Sequence, residues 1–205
     1  MAKPTAPRGL ARQRVLDAAL ALFAAHGVHG TSLQMIADRI GVSKAAVYYQ
    51  FRSKEDIALE VLRPSVEDMA RVIRIADALP DVEARRAVIV SGLIEMTVRY
   101  RELAVFFHGD PAIDQLVHSE PEFDVVTTRI RELLEGSDCT VADRVALSVF
   151  LSGVCKAAAD PGLADVDDGE LHRILLELSG RILAPLATES AAAGASRSPS
   201  ASRSG

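Results

Sequence analysis

Along most of the chain, apolar residues recur at alternating steps of three and four, the spacing that lays them on one face of an α-helix. Leu16, Ala19, Leu20 and Phe23 make the first such face, and Gly27 is its expected stop. Thr31, three residues before Gln34, has the spacing of a capping box opening a second helix. That helix carries Leu33, Ile36, Ala37 and Ile40 and ends after about two turns at Gly41. Val42 and Ser43 lead into a third short helix, with Val47 and Phe51 one turn apart on its inner side. Ser53, with Asp56 three residues on, opens a long fourth helix whose seam runs through Leu59, Leu62, Val66, Met69 and Ile73. Pro64 falls inside that seam without shifting its phase, so a kink is expected rather than an end.

Further faces follow after the Ala78–Asp81 break. Ile89, Leu93, Met96 and Tyr100 mark a fifth helix, "ELAVFFHGDP" a short sixth, and Phe123, Val126, Ile130 and Leu133 a seventh. The last two elements are expected at 141–158 and 168–183, the second with a stripe of Leu171, Ile174, Leu175, Leu178 and Ile182. Residues 188–205 are small and polar, cannot supply a core, and read as a disordered tail. No stretch alternates apolar and polar residues as a strand would, so the fold class is all-α.

Two short helices joined through a glycine make a helix-turn-helix. Ala37 is small where the second helix crosses closely, and Ile36, Ile40 and Val47 form the miniature core. What remains outward on the third helix is Ser43, Lys44, Ala45, Tyr48 and Tyr49, with one of the tyrosines expected to pack partly inward. An α-helix fits the major groove of DNA, where Lys44 matches guanine O6 and N7 and Ala45 the thymine methyl. Tyr48 suits a phosphate, and the helix starts at Thr31–Ser32 and Ser53–Lys54 offer backbone N–H groups to others.

Composition sharpens this reading. The 205 residues are 49% hydrophobic and only 4% aromatic, with three Tyr and no Trp, so two adjacent tyrosines on one short helix are a concentrated expenditure. The net charge of −5 is unevenly spread. Residues 1–54 hold eight Lys and Arg against two Asp, a balance of +6, which leaves −11 for the rest. A basic head on an acidic body points to a polyanion contact at one end. No apolar run reaches the roughly 20 residues of a membrane span, no secretory signal opens the chain, and Cys139 and Cys155 suit reduced thiols. A cytoplasmic protein is expected.

Thr31–Leu62, "TSLQMIADRIGVSKAAVYYQFRSKEDIALEVL", resembles the DNA-binding signature of the tetracycline-repressor (TetR) family, and the likeness extends back through "RVLDAALALFAAHGVHG". The resemblance implies a three-helix DNA-binding domain, joined by a long fourth helix to a helical ligand-binding and dimerisation domain. The corresponding limits are 1–53 (helix-turn-helix about 32–51), 54–187, and a tail at 188–205. It places the family's DNA contacts on Thr31, Ser32, Gln34, Ser43, Lys44, Ala45, Tyr48, Tyr49 and Lys54. Gln50 departs from the His that many relatives carry before the Phe. The implied function is a ligand-responsive repressor, a homodimer on a palindromic operator, released by a small and largely apolar effector. Broad apolar faces at 141–158 and 168–183 independently suggest the two-fold pairing.

Met96, Tyr100, Phe106, Phe107 and His108 are the candidate effector residues, in the one aromatic-rich part of the body. His108, Asp110, Asp114, His118 and Glu120 match no standard metal spacing and read as polar groups of a connecting stretch, so neither metal nor cofactor is expected. The alternatives are a helical-bundle enzyme or metal-dependent protein, and a structural partner-binding protein. The first needs Glu-x-x-His pairs, a nucleophile elbow or a phosphate loop, none of which is present. The second leaves the charged, aromatic third helix unexplained.

Overall fold

The computed structural model describes residues 8–103, 111–136 and 139–184, and among these every regular element is helical. In chain order they are α1 (Arg8–Gly30), α2 (Leu33–Ile40), α3 (Lys44–Gln50), α4 (Lys54–Asp77), α5 (Val82–Arg99), α6 (Pro111–Ser119), α7 (Pro121–Glu135), α8 (Val141–Ala158) and α9 (Asp168–Ile182), with a 3₁₀ turn at Pro161–Leu163 before the last. The expected short helix around 102–111 and the 188–205 tail fall largely outside the described residues.

Local chemistry sets the boundaries. Gly27 breaks α1 with φ 69° and ψ 169°, a conformation only glycine adopts readily. The cap of α2 is Ser32 and not Thr31: the Ser32 hydroxyl accepts from Met35 N at 3.2 Å. Thr31 is instead 2% exposed, and Gln34 donates to Asp38 one turn on at 2.6 Å. The capping box therefore does not form at Thr31–Gln34, because the chain turns inward one residue earlier. Gly41 ends α2 in the left-handed region (φ 70°, ψ 39°), with Val42 N bonded to Ala37 O at 3.0 Å. Ser43 caps α3 through Ala46 N, and Ser53 with Asp56 makes the full capping box expected for α4. Thr140 and Asp143 make another at α8.

Two apolar clusters organise the packing. The first joins Val15, Ala19 and Phe23 of α1 to Ile36 and Ala37 of α2, Val47 of α3, and Ile57 and Leu62 of α4. It also takes in Ile113 and Val117 of α6 and Phe123 of α7. The second gathers the rest of α4 with α5, α7, α8 and α9 around Ile73, Ile89, Ile94, Leu134 and Phe150. Val66 of α4 packs against both. Each fully buried Leu, Ile or Phe contributes about 1.5–3 kcal/mol of transfer free energy. The α5 stripe is rotated from expectation: Ile89, Val90, Ile94 and Val98 are buried, while Leu93, Met96 and Tyr100 are half-buried. At Gly92 of α5 the reason is visible, since a Cβ there would lie 2.5 Å from Val72 Cγ1 of α4.

α6 corrects another expectation. The stretch with His118 is helical, because Ile113, Leu116 and Val117 supply a short apolar face for the first cluster. α4 runs through Pro64 without ending. A proline has no N–H, so the carbonyl of Glu60 lacks its ordinary helical donor. Ion pairs reinforce this level: Glu60 holds Arg12 of α1 at 3.0 Å and Arg63 at 3.1 Å, and Arg63 reaches Glu122 of α7 at 2.9 Å.

Candidate nucleic-acid interface

α3 presents one continuous outward face. Val47 is fully buried and Phe51 nearly so, which anchors the opposite side. Lys44, Ala45, Tyr48 and Tyr49 all project into solvent. Tyr48 is 58% exposed and Tyr49 84%, so Tyr48 is the one that leans partly on the protein, and both remain open to solvent. Two large apolar rings left uncovered on a seven-residue helix are costly to hydrate, which suits a surface that something else covers. Ser43 is exposed at the start of the same helix, and Ser32 and Gln34 are exposed at the start of α2.

Thr31 and Lys54 are placed differently from the other seven residues. The Thr31 hydroxyl donates to Gly27 O at 2.8 Å. The Lys54 ammonium donates to the carbonyls of Val28 at 2.7 Å, His29 at 3.1 Å and Thr31 at 3.2 Å. A cation on the last carbonyls of a helix neutralises the negative end of its dipole. The Thr31 bond closes the end of α1, and the Lys54 bonds tie that end to the start of α4.

The same sorting applies to the basic head. Arg12 is committed to Glu60 and lies over the Phe51 ring at 4.5 Å. Arg14 donates to Ile40 O, the last residue of α2, at 3.0 Å. Lys44, Arg39 and Arg52 are exposed and their side chains have no partner among the described residues. Arg39 and Arg52 entered the sequence reading only as charge; their exposure close to α3 along the chain is what marks them now.

The effector candidates are only partly in view. Phe106, Phe107 and His108 lie outside the described residues. Met96 is half-buried against the second cluster. The Tyr100 hydroxyl donates to Asp68 Oδ2 at 2.8 Å, and Asp68, itself nearly buried, is also met by Arg99 at 3.3 Å and by Arg71. Tyr100 borders a cavity of about 420 Å³ between α1, α4 and the end of α5; Met96 is not among its walls. Among the described residues, no three His, Cys, Asp or Glu side chains are grouped to hold a metal ion. His118 Nδ1 lies 3.0 Å from Asp124 Oδ1.

Residues 15–61 match the family model for bacterial regulatory proteins of the tetR family. The match covers all of α2 and α3 and the parts of α1 and α4 that hold them. Residues 15–61 are thus a tetR-family segment. The chain's relatives include a Pseudomonas putida protein named uncharacterized HTH-type transcriptional regulator TtgW, 38% identical over 88 residues, 42% of this chain and 62% of that one. Another is the HTH-type transcriptional repressor AcnR of Corynebacterium efficiens, 28% identical over 124 residues, 60% of each. The chain thus spans about three fifths of the length of these curated relatives. The crystal structure of a TetR-like transcriptional regulator from Rhodococcus sp. RHA1 superposes with a TM-score of 0.61 at 21% identity, over 88% of this chain and 99% of that one. The fold of that regulator therefore extends through the helical body of this chain, where sequence likeness is weak. Among the described residues no helix is long and apolar enough to cross a membrane.

Proposed function

We propose that this chain is a tetR-family, ligand-responsive transcriptional repressor that binds a palindromic operator as a homodimer and is released by a small, largely apolar effector. The observation that carries the DNA reading is the outward face of α3, with Lys44, Ala45, Tyr48 and Tyr49 uncovered around the buried anchor Val47. Lys44 reads a guanine edge, Ala45 meets a thymine methyl, and Tyr48 holds a phosphate. Ser32, Gln34 and Ser43 position the backbone, with Arg39 and Arg52 adding charge. Thr31 and Lys54 serve the same interface indirectly, by fixing the joint behind it.

The homodimer reading is supported by α8 and α9. Val141, Val145 and Val149 recur every four residues on α8 and are all exposed, as is Leu178 on α9. A row of valines open to water on one helix face suits an isologous contact with the same face of a second copy. Effector release follows if a ligand in the body favours a tilt of α4 that separates the two α3 faces.

The test is titration of the purified chain into a labelled duplex from its own upstream region, read by fluorescence anisotropy across a salt series. Lys44→Ala should weaken binding about tenfold or more, as loss of one base contact does, and Tyr48→Phe should weaken it with an unchanged melting curve. Affinity should fall steeply as salt rises. Wild-type affinity in both variants would remove the assignment of α3 as the reading helix.

A further inference from the structure

The cavity where α1 meets α4 carries chemistry that the DNA-binding reading does not use. Its apolar walls are Leu16 and Leu20 of α1, Val61 and Pro64 of α4, and Val98 and Leu103 at the end of α5. A space of about 420 Å³ is of the size that takes a small organic molecule. Three observations define which kind.

The arginines on its border are already committed. Arg99 pairs with Asp68 at 3.3 Å and Glu95 at 2.8 Å. Arg101 pairs with Asp168 at 3.0 Å and also donates to the carbonyls of Ala158, Leu163 and Val166. The carboxylates are less fully served. Asp17 receives only an amide N–H from Gln13, at 2.8 Å, and Glu102 has no partner among the described residues. The charge left over around the cavity is therefore negative.

The second observation lies in the backbone. Glu60 and Pro64 are both wall residues, and Pro64 denies the Glu60 carbonyl its helical donor. A carbonyl that loses its ordinary helical donor in a mostly apolar wall favours a ligand that brings an N–H. The third is the end of α5 at Arg99–Tyr100, whose C-terminal carbonyls add negative potential at the same border. An anion would be repelled by all three features, and a neutral hydrocarbon would leave the acceptors unserved.

We infer that this cavity binds an apolar amine in its protonated form, its hydrocarbon part against Leu16, Leu20 and Val61 and its ammonium donating to the Glu60 carbonyl between Asp17 and Glu102. Within the regulator reading, on which this regulatory meaning rests, the cavity is an effector site at the joint of head and body. Burial alone would raise the Glu60 carboxyl, but hydrogen bonds from Arg63 and Arg12 outweigh it and hold the group below its ordinary value. That carboxylate is tied to Arg12 of α1, and Glu60 borders the cavity, so a ligand seated there sits against the α1–α4 joint.

Calorimetry on the full chain at neutral pH tests this with three probes of one shape: 4-phenylbutylammonium, 4-phenylbutanol and 4-phenylbutanoate. The ammonium should bind about tenfold or more tightly than the alcohol, from one partly exposed charge pair plus the carbonyl bond, and the carboxylate should bind weakest. Asp17→Asn with Glu102→Gln should reduce the advantage of the ammonium while leaving the alcohol unchanged. Val61→Phe should fill the space and abolish all binding; Leu20→Phe serves the same purpose if circular dichroism shows that the first variant is misfolded. Equal binding of ammonium and alcohol, or no binding of any probe, overturns the assignment. Retention of the upstream duplex, measured without probe, separates the two claims. DNA bound without ammonium binding sinks the cavity alone, and ammonium bound without DNA binding sinks the regulator reading alone.

Discussion

Replacing Lys54 by Met distinguishes a structural cation from a DNA-contacting one. The ammonium makes three hydrogen bonds, to Val28 O, His29 O and Thr31 O, at 2.7, 3.1 and 3.2 Å. The one to His29 is exposed, and water replaces it when the ammonium is gone. The other two are part-buried and charge-assisted, each contributing about 1 kcal/mol after competition with water. Loss of the cation from the end of α1 adds a few tenths of a kcal/mol, and Met retains the packing of the alkyl stem. The expected loss is about 2 kcal/mol, or roughly 4–8 °C in Tm for a chain of this length. A thermal melt by circular dichroism measures it. Operator affinity, taken well below the melting range, should fall while the slope of log affinity against log salt stays unchanged, since no phosphate contact has been lost. An unchanged Tm together with a slope reduced by about one would refute the structural assignment and make Lys54 a phosphate ligand.

Two further outcomes follow from the packing and the exposed valines. Gly92→Ala adds a Cβ 2.5 Å from Val72 Cγ1, so it should lower stability by about 1–2 kcal/mol despite the better helix propensity of Ala; Val72→Ala in the same chain should relieve the clash, and a stabilised single variant would show that α4 and α5 are further apart. Val145→Asp with Val149→Asp places charge on the exposed face of α8 and should convert a dimer to a monomer in light scattering, with about a tenfold or greater loss of operator affinity; a dimer that survives places the subunit contact elsewhere.

What the sequence disclosed depends on whether the cause is local. Gly41, Ser43, Ser53 and Asp56 act within a few residues of themselves, so the end of α2 and the starts of α3 and α4 were legible, as were α8 and α9 from their unbroken stripes. The four outward residues of α3 were legible for the same reason, because Val47 and Phe51 fix the inner side. Roles that depend on distant partners were not. Lys54 looks like any lysine at a helix start until the end of α1 arrives beside it, and Thr31 looks like a cap until its hydroxyl is seen on Gly27. The α5 stripe was misplaced because Gly92, with no apolar side chain to count, packs tightly against Val72 of α4. α6 was missed because polar residues drew attention away from Ile113, Leu116 and Val117, whose three-then-one spacing was the available signal.

The insertion of Ile113, Val117 and Phe123 into the cluster beneath α1 and α4 has a consequence for how this protein can be dissected. A polypeptide severed after Leu62 would keep every residue of α3 yet leave that cluster open to water on the side where α6 and α7 had closed it. The DNA-recognition end is thus no portable cassette: grafted onto another body, it would need a substitute for those three side chains before it stood upright.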